Sequence, residues 1–457
     1  MAPKFGTSGL RGLVVDLTPA LVGTHVQAFL RACPIGTGLF VGRDLRPSSP
    51  DIAAMVAHAA RAMGIAVTDC GDVPTPALAL AAMEAGAAAV MITGSHIPAD
   101  RNGLKFYTPM GEITKTHEAA ILAALDGLRE TPLGPEVVQN TTAGAAYVER
   151  FTRAYGDALF GLRIGVYSHS AVGRDLLLEV FGALGANVIE LGRSASFIPV
   201  DTEAVDPAIR AELKVWAKEH ALDAITSTDG DGDRPLMTDA TGTVIVGDVL
   251  GQITGASLGA KTAVTPVSSN TGAEAKFGRV VRTRIGSPFV IAGMEDVGGD
   301  VVGYEANGGF LLGFEAGGSH GALPPLMTRD AVLPLVAPLA LAKAAGGLAA
   351  LVAMQPARFT AADRLQDVPT ERSLALVAAF AANPQQRGGF LAAFGRIEAS
   401  VDRTDGLRMT LEDGRIVHLR PSGNAPELRL YVEADSVAAA DATLAKGLSA
   451  LRAALHI

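Results

Sequence analysis

Apolar and polar positions follow two rhythms along this chain. Short runs rich in Val, Ile and Ala read as strands, and longer runs with apolar residues three and four apart read as helices. Gly38–Val41 predicts a strand, followed by the polar loop Arg43-Asp44-Leu45-Arg46-Pro47. Ser49 then has the character of an N-cap, with Pro50 opening a helix that runs to Gly64. Ala66–Cys70 is a second strand, Val73-Pro74-Thr75-Pro76 breaks the chain before a helix over 77–86, and Ala87–Ile92 is a third strand ending at Thr93-Gly94-Ser95-His96. A similar series follows, with strands Arg163–Tyr167, Asn187–Leu191 and Leu222–Ser227 and helices near Arg174–Leu184 and Ala211–His220. A third covers Thr262–Val267, Ala273–Phe277 and Val301–Tyr304. The last stretch differs: Leu407–Leu411, Ile416–Leu419 and Leu428–Val432 read as antiparallel strands and Ala438–His456 as a closing helix.

The alternation predicts an α/β protein: three similar mixed α/β domains and a C-terminal α+β domain. The expected domains are 1–140, 141–245, 246–356 and 357–457. Hydrophobic residues make up 49% and charged residues 19%, which supplies several buried cores and excludes general disorder. A net charge of -9 argues against a nucleic-acid partner. The longest apolar run, Ala331–Ala342, is broken by Pro334 and Pro338 and falls short of the roughly 20 residues of a membrane helix, so no membrane partner is expected. The opening MAPKFGTSGLRG has no secretory apolar stretch, and two cysteines, Cys33 and Cys70, build no disulfide framework. The expected setting is the cytoplasm.

Candidate chemistry lies where strands end. Asp229-Gly230-Asp231-Gly232-Asp233-Arg234 follows the strand Leu222–Ser227 directly. Glycines that fold the backbone tightly bring the three carboxylates together, and their repulsion is costly unless a cation sits between them. Oxygen-only ligands suit Mg2+. An EF-hand is excluded, because Arg234 and Ala240 stand where that loop needs glycine and glutamate. Thr93-Gly94-Ser95-His96-Ile97-Pro98 places a serine after a buried strand with Lys105 nearby, either a nucleophile or a turn residue. Arg420-Pro421-Ser422-Gly423-Asn424-Ala425-Pro426 offers donors for a phosphate, or is an ordinary hairpin connection. Gly303-Tyr304-Glu305-Ala306-Asn307-Gly308-Gly309 is either a plain turn or a site where a carboxylate and an amide meet vicinal hydroxyls. Phe5–Gly12 contains glycines that permit close approach to a ligand.

In combination and in order, these loops resemble the α-D-phosphohexomutase superfamily, most closely its bacterial phosphomannomutase and phosphoglucomutase members. Asp229–Arg234 matches the metal loop fully, and Thr93–Pro98 is similar to the phosphoserine loop T-A-S-H-N-P. Gly303–Gly309 resembles the sugar loop G-E-x-S-G-H, and Arg420–Pro426 the phosphate loop R-x-S-G-T-E-P. This chain departs at Gly94 and Ile97, at Asn307 and Gly309, where the family has serine and histidine, and at Asn424 and Ala425. Ser8 stands where phosphoglucosamine mutases usually carry aspartate.

The resemblance implies four domains around a central active-site cleft. It implies a phosphoserine at Ser95, Mg2+ held by Ser95, Asp229, Asp231 and Asp233, and a hexose 1,6-bisphosphate that is both intermediate and activator. Arg11, Lys105 and His96 join Ser95 as expected catalytic residues, and Arg234, Glu305, Asn307, Arg420, Ser422, Gly423 and Asn424 are expected to bind substrate. The implied reaction interconverts hexose 6-phosphate and hexose 1-phosphate, with mannose as the expected sugar, in a monomer or homodimer. Alternatives are a phosphoglucomutase or dual-specificity mutase, a phosphoglucosamine mutase, a metal-dependent sugar-phosphate phosphatase and an inactive sugar-phosphate sensor.

Overall fold

The computed structural model describes residues 3–6, 8–127, 134–422 and 426–457. The chain forms two units, Met1–Val264 with Gly286–Met354, and Thr265–Ile285 with Gln355–Ile457.

The first unit repeats one plan in three sheets. In the first sheet Ala88–Ile92, Leu39–Arg43 and Val67–Asp72 run parallel, and Arg101–Thr108 then returns antiparallel beside Ala88–Ile92. In the second, Asn187–Leu191, Arg163–Tyr167 and Ala224–Thr228 are parallel, and Pro235–Thr238 returns antiparallel. In the third, Thr262–Pro266 and Val301–Tyr304 are parallel, and Phe310–Leu312 returns antiparallel. The strands Ala88–Ile92, Ala224–Thr228 and Val301–Tyr304 are buried at every position. Ala88–Ile92 and Val301–Tyr304 accordingly read as apolar runs, as strands covered on both faces do, whereas Ala224–Thr228 carries the buried hydroxyls of Thr226, Ser227 and Thr228. Each is the last parallel strand of its sheet, and each leads into one of the three predicted chemical loops.

Local chemistry starts the helices. Thr18 caps Pro19–Ala32 by accepting from the Leu21 amide at 3.3 Å, and Asp206 caps Pro207–Glu219 by accepting from Ala208 at 2.7 Å. The helix expected to begin at Ser49 spans Ser49–Arg61, and its N-cap position is Ser48. Ser49 is no cap, because its hydroxyl is drawn to Asp44 at 2.7 Å. Ala273–Phe277 belongs to no long element; a single 3-10 segment, Thr271–Ala275, covers most of it. The apolar run Ala331–Ala342 lies largely in the helix Leu333–Ala345, buried along most of its length with Pro338 inside. No helix among the described residues is long and apolar enough to cross a membrane.

In the second unit Phe359–Leu365, Leu428–Ala434, Ile416–Pro421, Leu407–Leu411 and Glu398–Asp402 form an antiparallel sheet in that order. The helix Val437–Leu455, capped by Ser436, and the rings of Phe380, Phe390 and Phe394 fill its core. Each large apolar side chain buried there contributes about 1.5–3 kcal/mol.

Candidate active site

The serine loop hangs from a buried ion pair. Asp44 and Arg46 are paired and completely buried. Such a pair is tolerable when nearly all of its remaining valences are satisfied. Here only Arg46 Nε lacks a hydrogen-bond partner among the described residues. Asp44 accepts from Ser49 Oγ at 2.7 Å, from Thr93 Oγ1 at 2.7 Å and from the Arg46 amide at 3.1 Å. Arg46 Nη2 donates to the carbonyls of Ser95 at 3.0 Å and Ile97 at 2.5 Å, and its guanidinium lies 4.0 Å from the centre of the Phe197 ring. A Cβ at position 94 would lie 2.8 Å from the guanidinium carbon, which accounts for Gly94. Ser95 is held at φ 56, a region unfavourable for a residue with a side chain. Thr93 Oγ1 holds it there by accepting from the Ser95 amide at 2.7 Å.

Ser95 Oγ donates to Asp229 Oδ2 at 2.6 Å, so the serine and the acidic loop meet. Carboxylate oxygens of Asp229, Asp231 and Asp233 lie within 4.8 Å of one another, and all three residues are fully buried. Asp231 Oδ2 accepts from Thr75 Oγ1 at 2.7 Å and from Lys105 Nζ at 2.6 Å, and Lys105 also bridges to Asp233. Burial and the charges of Asp231 and Asp233 push Asp229 up to about 8. Burial works against ionisation of Asp231 too, but Lys105, Thr75 and Arg329 together hold it below the ordinary carboxylate range. Asp231 Oδ1 and Asp233 Oδ1 are buried acceptors with no hydrogen-bond partner among the described residues, the latter 3.9 Å from Arg234 Nε. Two orphaned oxygens beside a crowded third carboxylate and a serine hydroxyl form the oxygen-only donor set that a small divalent cation takes.

Cations surround this cluster. Arg234 Nη1 donates to His96 Nδ1 at 2.8 Å, and that nitrogen is 3.4 Å from Ser95 Oγ. Burial, then the Arg234 charge, push His96 down to about 3, so the ring serves as a neutral acceptor beside the serine. Arg11 lies on the strand Leu10–Leu13, opposite Gly103. Burial and the like charge of Arg234 bring it down to about 10, and no hydrogen bond or ion pair commits it among the described residues.

In the sugar loop Glu305 and Asn307 are 4% and 8% exposed. The loop closes on itself: Gly308 N donates to Glu305 O at 2.8 Å, Glu305 N to Gly309 O at 3.2 Å, and Gly309 N to Asn307 Oδ1 at 3.0 Å. The Asn307 acceptor is therefore used within the turn. Glu305 Oε2 accepts from Arg329 Nη1 at 3.2 Å, and Arg329 Nη2 donates to Asp233 Oδ2 at 2.7 Å.

The first unit thus brings together Ser95, His96, Lys105, Asp229, Asp231, Asp233 and Arg234, with Glu305 linked to them through Arg329. In the second unit Arg420 Nε donates to Asp405 Oδ2 at 3.0 Å, and the amide of buried Ser422 donates to Glu427 O at 2.9 Å. Gly423 and Asn424 lie outside the described residues. Three contributors went unread in the sequence. Arg46 sits in a loop noticed only for its neighbours, Thr75 in a break noticed only for its prolines, and Arg329 before an apolar run read only for its length.

Comparison with known proteins places this architecture. The phosphoglucomutase/phosphomannomutase family models match in three parts: α/β/α domain I over residues 2–132, α/β/α domain III over 238–359 and the C-terminal domain over 367–447. The chain is 47% identical to a phosphomannomutase of Sinorhizobium fredii (strain NBRC 101917 / NGR234), covering 100% of both chains. It is 42% identical to a phosphomannomutase of Salmonella muenchen, over 95% of this chain and 92% of the relative. A phosphoglucomutase/phosphomannomutase family protein from Burkholderia thailandensis shares the fold at a TM-score of 0.77 and 23% identity, with 98% of this chain and 97% of that one covered. With its serine against an aspartate triad and relatives aligned from end to end, the chain belongs to the phosphoglucomutase/phosphomannomutase family, a family of isomerases.

Proposed function

We propose that this enzyme interconverts mannose 6-phosphate and mannose 1-phosphate by lending a phosphoryl group from Ser95 and taking another back. The observation that carries the reading is the 2.6 Å contact between Ser95 Oγ and Asp229 inside the buried triad. The names of the two most fully aligned relatives support mannose as the sugar.

In the first half-reaction the P–O bond to Ser95 Oγ breaks, and a bond forms to the free hydroxyl oxygen of the hexose monophosphate. The hydroxyl proton ends on Ser95 Oγ, which leaves as the free serine hydroxyl, and a hexose 1,6-bisphosphate results. That intermediate turns over, its other phosphate returns to Ser95, and the isomeric monophosphate departs. Asp229, Asp231 and Asp233, with Ser95 in its phosphorylated form, would hold Mg2+, which would supply charge neutralisation for the moving group. Lys105 holds Asp231 and Asp233 in place and, with Thr75 and Arg329, keeps Asp231 ionised. Arg11, uncommitted and buried among charges, supplies fixed positive charge toward the transferring oxygens. His96 and Arg234 fix the far side of the serine loop. Glu305 is assigned to ring hydroxyls, and Asn307 shapes its turn. By motif, Arg420 and Ser422, with Gly423 and Asn424, are assigned to the phosphate that is not reacting. Binding energy from that phosphate then supports the reacting end.

A bisphosphorylated hexose is the expected activator, since it recharges Ser95. Hexose phosphates are the expected small-molecule partners, in a monomer or homodimer. The expected setting is the cytoplasm, in keeping with the free, buried thiols of Cys33 and Cys70.

The test is conversion of mannose 1-phosphate and glucose 1-phosphate under identical conditions with Mg2+ and glucose 1,6-bisphosphate. Isomerisation with higher kcat/KM on mannose supports the reading. Equal or reversed preference makes the enzyme a dual-specificity mutase or a phosphoglucomutase. Release of free phosphate in place of isomer makes it a phosphatase, and no turnover makes it a sensor.

A further inference from the structure

Gly309 is not required by its backbone. Gly308 beside it has φ 87, but Gly309 is absent from the positive-φ glycines of the described residues. What excludes a side chain is space. A Cβ at 309 would lie 2.8 Å from Arg329 Cδ and 3.1 Å from Arg329 Cγ. Arg329 lies near the end of the strand Leu326–Asp330, which pairs with Phe310–Leu312, and is 2% exposed. Its two terminal nitrogens go to different loops, one to Asp233 Oδ2 at 2.7 Å and one to Glu305 Oε2 at 3.2 Å. Burial opposes its charge, and Asp233, Glu112 and Glu305 more than offset that. A planar guanidinium spans two carboxylates with separate donors, which a lysine ammonium on a flexible stem does less well.

We propose that Arg329 is a positioning residue that locks Glu305 against the metal-binding loop and thereby sets sugar discrimination, and that position 309 is glycine to give it room. The inference rests on the proposed mutase function. Arg329 neutralises one oxygen of Glu305 and fixes the plane of the carboxylate. The other oxygen is left to accept from sugar hydroxyls in one orientation. By holding Asp233 through Oδ2, the same guanidinium leaves Oδ1 free. A site that orients its carboxylate through a buried arginine discriminates between epimers more sharply than one whose carboxylate rotates.

The experiment compares wild type, Gly309→Ala, Arg329→Lys, Arg329→Ala and the double variant Gly309→Ala with Arg329→Ala. Four readouts are taken: kcat and KM on mannose 1-phosphate and glucose 1-phosphate, phosphorylation of Ser95 by glucose 1,6-bisphosphate followed by intact mass, and Tm. Gly309→Ala and Arg329→Lys are each expected to lower kcat/KM on the preferred sugar by about tenfold or more. Each is also expected to bring the two sugars closer in kcat/KM while Ser95 still takes up a phosphoryl group. The double variant is expected to lose no more than Arg329→Ala alone, because both changes act through one side chain. Gly309→Ala is the mildest probe and decides the matter if an Arg329 variant fails to fold. Wild-type kcat/KM and wild-type sugar preference in Gly309→Ala, or losses that add in the double variant, would overturn the inference and leave the proposed function standing. A wild-type enzyme that isomerises neither sugar would overturn both.

Discussion

The serine loop and the sugar loop each give up a side chain to an arginine, and they use that arginine differently. At Gly94 the intruder is Arg46, whose donors go to Asp44 and to the Ser95 and Ile97 carbonyls. At Gly309 it is Arg329, whose donors go to the carboxylates of Asp233 and Glu305. The first arginine fixes the path of a backbone, and the second fixes two carboxylate side chains, proposed above to meet sugar and metal. A glycine in a functional loop can therefore mark a rigid frame or a recognition device, and the partner of the arginine tells which.

The sharpest separation comes from removing the nucleophile. Ser95→Ala is expected to cut kcat by about 10⁴-fold or more, with a folded protein by circular dichroism and no phosphoryl mass increment after glucose 1,6-bisphosphate. Near-normal turnover would remove Ser95 from the chemistry and leave its loop a frame only. Next is the metal. Chelation is expected to abolish turnover, Mg2+ to restore it, and Asp231→Asn to lower kcat by roughly 10²–10³-fold. Activity that survives exhaustive chelation would break the link between the two loops. On the frame side, Arg46→Met strands the buried Asp44 and is expected to cost about 3–5 kcal/mol in chemical denaturation. A loss confined to sugar preference, with stability unchanged, would put Arg46 in the same class as Arg329.

The smallest expected effect concerns pH. His169 Nε2 in the first unit donates to the Thr228 carbonyl, and His418 Nε2 in the second donates to the Asp405 carbonyl. Burial pushes each down to about 4. A folded pKa below the unfolded value near 6.5 stabilises the folded state above that pH, and this stability is lost as pH falls from about 6.5 through 4. The Tm gap between wild type and His418→Asn is therefore expected to narrow by a few degrees from pH 7 to pH 5. A gap that widens on acidification would place the charged ring in the folded state.

Much of this was legible in the sequence, because some signals are local. Three aspartates at alternate positions carry their own geometry, and the buried strands Ala88–Ile92 and Val301–Tyr304 announce themselves as apolar runs. What stayed hidden is carried by contacts far apart in the chain. Arg46 meets position 94 and Arg329 meets position 309 only after folding, so neither glycine explained itself. Ser49 looked like a cap until Asp44 claimed its hydroxyl. The strand Arg101–Thr108 was missed because it is buried at all but its first position while carrying Asn102 and Lys105, whose polarity suggested a loop. Ser8 was noted as a departure from the phosphoglucosamine branch. The structure supplies a physical reason for it: its hydroxyl donates to Glu112, where an aspartate would set two carboxylates against each other.

The shared placement of the three chemical loops carries a consequence for how this protein can vary. Each is the connection of a hairpin, so both of its ends are stitched into a sheet. An exchange of residue types leaves the stitching intact. An inserted or deleted residue slides the return strand by one place and turns its inward faces outward. Residue types in these loops can differ without disturbing the sheets, as at Ile97 and Asn307, within the room that Arg46 and Arg329 leave at Gly94 and Gly309, while loop length is tied to strand register.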